Sequence, residues 1–186
     1  MGPMYNTPLA RIIWYRFTVP RHAFCLWRLT LKWLPTNDSP SKLGVSLRRK
    51  HYELCFCNEE THQHIFFECS YSQCVLQNVL SKLGFRLGLY RMGNVLMVPA
   101  YCQLQQVHKQ ALYACLTTIG YCIWIERNSR LHQKRQNPPN LITNQCINLI
   151  KERLRFLRKV GKKKRVQDIL MKLSSKSTGP FQLRSL

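Results

Sequence analysis

Residues 54–69 read LCFCNEETHQHIFFEC, and this stretch decides how the chain is organised. Its sixteen residues hold three cysteines and two histidines, the densest group of soft metal ligands in the sequence. Thiolate and imidazole are the ligands that Zn²⁺ prefers, and a closed structural site takes four of them. A Cys₃His set for one structural zinc ion is available here from Cys55, Cys57, His64 and Cys69.

The same stretch has an alternative interpretation without a metal. Cys55 and Cys57 are separated by one residue, whereas the turn of a zinc knuckle normally has two residues between its thiolates. Free cysteines are also common as small buried apolar side chains. Spacing alone therefore leaves zinc and buried thiols as alternatives. In either case residues 59–61 predict a turn and a cap before a short element. Residues 65–67 are the apolar part of that element.

The sequence around this stretch follows a longer pattern. Its parts are, in order, Trp14, VPRH (19–22), Phe24, LWRL (26–29), LPT (34–36), Cys57, ETHQHIFFEC (60–69) and IWIERN (123–128). Over roughly residues 12–157 this pattern resembles the reverse-transcriptase zinc-binding domain at the C-terminal end of plant non-LTR (LINE-type) retrotransposon polyproteins. The resemblance implies bound zinc and a domain that helps to hold RNA or target DNA near a polymerase. The family's first cysteine falls at Leu54, so Cys55 stands in for it one residue later.

The charge of the chain indicates a polyanionic partner. Its 186 residues include 29 Lys and Arg against 8 Asp and Glu, which gives a formal charge of +21. The hydrophobic content of 45 % is typical of a folded protein, but a surplus of one sign repels itself unless a polyanion balances it. We expect RNA or DNA as the partner, contacted through backbone phosphates, with an anionic membrane surface as the second candidate. No small-molecule substrate is expected.

Two basic groups are candidates for these phosphate contacts. They comprise Arg48, Arg49, Lys50, Arg155, Arg158, Lys159, Lys162, Lys163, Lys164 and Arg165. The alternative is a solvated loop together with cations that complement the dipole at a helix C-terminus. The run at 162–166 also resembles a nuclear-localisation signal. Nine cysteines and no apolar signal-peptide core in residues 1–10 favour a reducing compartment, nuclear or cytoplasmic, over secretion.

The hydrophobic periodicity predicts a mainly α fold, with a small zinc-knuckle loop packed on short helices and a long antiparallel helical hairpin after it. We divide the chain into an irregular lead-in at 1–20, a zinc-binding domain at 21–84, a linker at 85–101, a helical hairpin with a basic end at 102–160, and a basic tail at 161–186 that we expect to be disordered.

Apolar spacing also predicts which side chains each helix buries. Helix 21–33 has a stripe of Ala23, Phe24, Trp27, Thr30, Leu31 and Leu34, with Trp27 and Trp33 as core aromatics. The next helix is capped by Ser70 and stopped by Gly84. The hairpin helices carry stripes through Ala111, Cys115, Thr118, Cys122 and Ile125, and through Ile142, Cys146, Leu149, Ile150, Leu154 and Leu157. Glu126 and Arg130 are predicted to form an ion pair that stabilises the helix by about 0.3 kcal/mol.

The residues of several catalytic chemistries are missing from the sequence. Its two aspartates, Asp38 and Asp168, lie far apart, whereas a reverse transcriptase holds Mg²⁺ with paired aspartates. Neither zinc-deaminase, phosphate-loop nor hydrolase motifs occur. We therefore expect a non-catalytic protein. Its alternatives to nucleic-acid binding are a detached retroelement fragment acting only as a metal-free structural or protein-interaction domain, and a basic membrane-surface helix at 141–165.

Overall fold

The computed structural model describes residues 13–36, 54–56, 60–86, 106–159 and 181–182. Four α-helices lie in these ranges: α1 (Pro20–Thr30), α2 (Ser70–Lys82), α3 (Gln106–Gln133) and α4 (Pro139–Lys159). A π-helical turn (His64–Glu68) precedes α2, and two short strands, β1 (Phe85–Arg86) and β2 (Phe181–Gln182), pair in parallel. The predicted mainly α fold is confirmed. Within the described ranges, no helix combines the length and the apolar character needed to span a membrane.

Helix α3 is the centre of the fold. All of its residues from 111 to 120 are buried, because α1, α2, α4 and the π turn all pack against it. One hydrophobic core joins these elements. The predicted domain boundaries remain a prediction, since most of the proposed linker at 85–101 lies outside the described residues.

Helices α3 and α4 form the expected antiparallel hairpin. Near the connecting turn, the Asn137 side chain donates to the Glu126 carboxylate. At the opposite end, Ala111 and Leu154 line one small apolar cavity. The predicted stripe of α4 is buried, with Leu149 partly so. On α3 the prediction is wrong at Ile125, which is 47 % exposed.

Helix α1 turns a different face to the core from the one that its apolar spacing predicts. Phe24 is 53 % exposed, whereas the neighbouring Cys25 and Leu26 are buried. Leu26 lies against Gly120 of α3, and its Cδ1 is 3.6 Å from the position that a Cβ would take there. The full set of buried α1 residues is His22, Ala23, Cys25, Leu26 and Leu29. A buried histidine therefore occupies a position that a purely apolar pattern leaves on the surface.

A left-handed turn ends α1 and places Trp33 outside the core. Lys32 has a φ of 54°, and the Trp33 amide donates to the Arg28 carbonyl at 2.8 Å while the Lys32 amide donates to that of Leu29 at 2.9 Å. This bond pattern is a Schellman motif, here without glycine. Trp33 is 52 % exposed, and Leu34 takes the core position instead, so the prediction of Trp33 as a core aromatic is wrong.

The ends of α2 are only partly as predicted. Cys69, with extended φ and ψ, is the N-cap and makes no side-chain capping bond, so Ser70 is the first helical residue and not the cap. At the other end, Gly84 adopts a φ of 79° directly after the C-cap residue. A glycine tolerates this left-handed conformation without a Cβ penalty, and the predicted stop is confirmed.

The buried His22 is held in its neutral form. Its Nδ1 lies 3.1 Å from Thr118 Oγ1, and its ring stacks on Tyr121 with centroids 4.2 Å apart. Because the Thr118 hydroxyl donates to the Ala114 carbonyl, it accepts from the His22 Nδ1–H. Burial, with smaller contributions from two nearby arginines, lowers the pKa of His22 to about 4.

We expect the protein to lose stability between pH 6.5 and pH 4 because of His22. In the unfolded chain this imidazole binds a proton at about pH 6.5, whereas in the folded chain it does so only at about pH 4. The unfolded state therefore binds more protons in this window, and the free energy of unfolding decreases as the pH is lowered. The full loss over this interval of about 2.5 pKa units is about 3.5 kcal/mol, at about 1.4 kcal/mol per unit.

Urea unfolding at pH 7 and pH 4.5 measures this effect. His22→Gln should lower the pH dependence of the unfolding free energy, whereas His132→Gln, at an exposed position, should leave it as in the wild type. If the His22→Gln and wild-type proteins lost the same stability on acidification, the assignment to His22 would be wrong.

Candidate metal centre

A capped π turn places two of the predicted ligands side by side. The His64 amide donates to Thr61 Oγ1 at 2.9 Å, so Thr61 caps the helical turn that begins at His62 and continues into the π turn, as its position in the sequence indicates. The Cys69 amide then donates to the His64 carbonyl at 2.8 Å. This bond spans five residues and closes one wide turn. His64 and Cys69 are therefore brought together by local backbone structure.

The third side chain comes from a separate turn at 54–56. Cys55 Sγ lies 3.1 Å from His64 Nε2. The ligand atoms of Cys55, His64 and Cys69 all lie within 4.8 Å of one another, with the last two residues buried. His62, the other histidine of the stretch, faces away, since its Nδ1 lies 3.0 Å from Thr36 Oγ1. Of the two candidate imidazoles, only that of His64 faces the thiols.

This cluster has the chemistry and the size of a zinc site. With Zn–S and Zn–N bonds of about 2.3 and 2.0 Å, the corners of a tetrahedral site lie roughly 3.5–3.8 Å apart. The three ligand atoms, within 4.8 Å of one another, need to shift only slightly to reach that geometry. Cys57, the predicted fourth ligand, lies outside the described residues.

The surroundings of the cluster favour the uncharged forms of Cys69 and His64. Burial raises the pKa of the Cys69 thiol and the nearby Cys55 raises it further, against the opposing effect of the Ser72 amide. Burial also lowers the pKa of His64, against the opposing effect of Glu68, which keeps its imidazole in the neutral form that binds metals. A bound divalent ion would reverse the effect on the thiols, because coordination deprotonates them.

A buried ion pair fixes Glu60, four residues before His64, to α3. Arg127 of α3 donates to both carboxylate oxygens of Glu60, from Nε at 3.0 Å and from Nη2. Both side chains are almost completely buried. The Arg127 guanidinium also lies 5.1 Å from the centre of the Trp124 ring. The pairing is bidentate, the geometry in which an arginine fixes a carboxylate most firmly.

A second buried pair fixes the turn on the other side of Cys55. Arg130 Nε donates to Glu126 Oε1 at 2.7 Å, and its Nη1 donates to the Leu54 carbonyl at 3.2 Å. Its Nη2 donates to the Asn137 carbonyl at 2.8 Å, and the Asn137 amide donates back to Glu126. Tyr71 lies under the Arg130 guanidinium at 4.6 Å. The predicted pairing of Glu126 with Arg130 is confirmed. The pair is part of a buried network, whereas spacing alone predicts an isolated helical pair that contributes about 0.3 kcal/mol.

We call Glu60, Glu126, Arg127, Arg130 and Asn137 the clamp. It ties the residues on both sides of Cys55 to α3 and to the hairpin turn, so the hairpin supports the metal centre. Sequence reasoning missed its role. The signals available in the sequence were the IWIERN segment and the positions of Trp124, Arg127 and Arg130 off the apolar stripe of α3. The structure shows that all three residues are buried.

The predicted phosphate-binding residues are described only in part. Arg155 is exposed on α4, and Arg158 and Lys159 belong to the last turn of that helix. The others, at 48–50 and 162–165, lie outside the described residues. Arg153 plays another part: its guanidinium donates to the carbonyls of Arg16, Phe17 and Thr18 and so anchors the lead-in to α4.

Several cysteines outside the cluster behave as core side chains. Cys25, Cys115, Cys122 and Cys146 are all buried in the helical core. Burial raises the pKa of Cys25 and of Cys115 to about 12, and a hydrogen bond with Cys122, followed by burial, raises the pKa of Cys146. The buried-thiol interpretation therefore applies to these four residues, while Cys55 and Cys69 lie beside an imidazole.

Comparison with known proteins finds a family match in the part of the chain that contains the candidate metal centre. The family described as zinc-binding in reverse transcriptase matches residues 4–75. This range contains Cys55, His64 and Cys69, and ends within α2, before the hairpin. No curated protein and no solved structure matches the chain.

Proposed function

Because residues 4–75 match the family described as zinc-binding in reverse transcriptase, we propose that the protein is a non-catalytic, zinc-binding module that binds nucleic acid. It derives, in this proposal, from the C-terminal part of a LINE-type retrotransposon protein. One structural Zn²⁺ is held by Cys55, His64, Cys69 and, as the fourth ligand, Cys57. The hairpin braces that centre through the clamp and carries basic residues at its C-terminal end.

The observation that supports nucleic acid as the partner is the charge of +21 on a chain of 186 residues. A polyanion balances this charge, and the match to a reverse-transcriptase domain makes RNA or DNA the natural polyanion. Contacts of lysine and arginine with phosphates carry no sequence information. We therefore expect binding that tolerates many sequences and is dominated by counterion release.

A salt titration tests the proposal. Fluorescence anisotropy with labelled RNA and DNA at 50–200 mM salt should show affinity falling steeply, since the logarithm of the binding constant drops by about 0.7–0.9 for each phosphate neutralised per tenfold increase in salt. Lys163→Gln/Lys164→Gln should reduce the slope by roughly 2, at about 1 per phosphate contact.

The matched control removes two charges elsewhere. Lys134 and Arg135 are exposed in the segment between α3 and α4, and Lys134→Gln/Arg135→Gln should leave the slope within about 0.5 of the wild type. A wild-type protein with no affinity for either nucleic acid at low salt, or with a flat salt response, would refute the proposal and favour a structural or protein-interaction role.

A further inference from the structure

The outward face of α1 combines exposed aromatic rings with arginines. Arg21, Phe24 and Arg28 follow one another at intervals of three and four residues, so they lie on one side of the helix. This side is opposite to the one that buries Leu26 against α3. Phe24 is 53 % exposed, although the apolar spacing of the helix predicts that it is buried. The face thus presents an aromatic ring between two cations.

The Schellman turn adds a second ring to this face. Arg28 Nη2 donates to the Trp33 carbonyl at 3.0 Å, which holds Trp33 beside the end of the stripe. Trp33 is 52 % exposed. We call Arg21, Phe24, Arg28, Lys32 and Trp33 the α1 face.

The positive charge of the α1 face indicates which class of molecule it binds. Residues 13–36 contain four Arg and Lys and no Asp or Glu, so no acid within this segment neutralises the cations around the rings. A purely apolar protein partner would have to desolvate these charges without compensation. A nucleic acid offers phosphates to the cations, and a single strand also offers unpaired bases that stack on aromatic rings. A duplex keeps its base faces covered.

We propose that the α1 face binds single-stranded nucleic acid, with bases stacking on Phe24 and Trp33 and with Arg21, Arg28 and Lys32 contacting the backbone. This inference rests on the proposed function and names the surface and the form of nucleic acid. The rings are carried by a helix and by a hydrogen-bonded turn, so little conformational freedom is lost when a base stacks on them. Arg21 is also held in place, with its guanidinium 5.5 Å from the Tyr121 ring.

The test compares a single strand with a duplex of the same sequence. Phe24→Ala/Trp33→Ala should weaken binding of a short single-stranded RNA by about 10- to 100-fold, as expected for the loss of base stacking. Its affinity for the duplex should remain within twofold of the wild type, and the salt slope for the single strand should not change, because no phosphate contact is removed. An aromatic exchange, Phe24→Trp/Trp33→Phe, should bind as the wild type does.

The matched control is Phe156→Ala. Phe156 on α4 is 54 % exposed and lies 5.5 Å from the Arg153 guanidinium, so it too is an aromatic ring beside a cation. Its substitution should leave single-strand binding unchanged. An equal loss from Phe156→Ala would show that any exposed ring on this basic protein has the effect, and would overturn the assignment to the α1 face.

The remaining outcomes separate this inference from the proposed function. If the wild type bound RNA with a steep salt dependence and the double variant bound single strands equally well, the inference would fail and the proposed function would stand. Absence of any binding by the wild type would refute both. Sedimentation velocity provides the last check: a wild-type dimer that dissociates in Phe24→Ala/Trp33→Ala would assign the face to a second copy of the chain and overturn the inference.

Discussion

Removal of the metal should unfold the protein. A structural zinc ion contributes roughly 10–16 kcal/mol to folding, whereas the net stability of a domain is only about 5–15 kcal/mol. The metal centre shares one hydrophobic core with α1, α2 and the hairpin, so we expect the loss to spread beyond residues 54–69. A zinc chelator should abolish the cooperative thermal transition, and purified protein should contain about one zinc per chain by elemental analysis.

Two cysteine substitutions distinguish the ligands from other thiols. Cys69→Ser, within the cluster, should abolish zinc binding and the cooperative transition, and Cys57→Ser should do the same if Cys57 is the fourth ligand. Cys74→Ser is the matched control, because Cys74 is an exposed cysteine on α2, five residues after Cys69. It should retain full zinc content. Zinc-free protein that unfolds cooperatively at the same temperature with and without chelator would favour the metal-free alternative.

Breaking the buried pair between Glu60 and Arg127 should have the next largest effect. Arg127→Met leaves the Glu60 carboxylate buried, at 3 % residue exposure, without its cation. Such an uncompensated buried charge costs about 3–5 kcal/mol. Because Glu60 lies in the segment between Cys55 and His64, we also expect the variant to release its zinc to a competing chelator more readily than the wild type does.

A double-mutant cycle assigns this cost to the pair itself. Glu60→Gln/Arg127→Met removes both charges and should recover part of the stability, with an interaction energy of about 1–3 kcal/mol between the two sites. Arg155→Met, at an exposed position on α4, should change the unfolding free energy by less than about 0.5 kcal/mol. Additive effects of Glu60→Gln and Arg127→Met in urea unfolding would contradict a direct pairing.

The local features of the metal centre could be predicted from the sequence. Residues 54–69 contain the ligand types, and Thr61 is where a cap is expected. The choice of His64 over His62 also agrees with the geometry, since His62 lies against Thr36. These features depend on residues close together in the chain, so spacing and ligand chemistry are sufficient to find them.

The clamp could not be predicted in this way. Arg127 meets Glu60 across 67 residues of sequence. The sequence pattern places Arg127 off the apolar stripe of its helix and Glu60 in a turn, so it indicates burial for neither. Such groups can be buried only because each supplies the charge and hydrogen bonds that the other loses with its hydration. Their burial becomes visible only once the chain has folded and the partner is in place.

The sequence by itself determined the helical class, the antiparallel hairpin and its buried α4 stripe, the candidate zinc ligands and the strongly basic charge, because periodicity, turn residues and ligand types act locally. The tertiary structure decided which face of α1 is buried, and it moved Trp33 to the surface and Glu126 with Arg130 into the interior. These outcomes depend on which distant surface covers a given side chain, such as Gly120 against Leu26 or the 54–56 turn against Arg130. Local spacing contains no information about that neighbour.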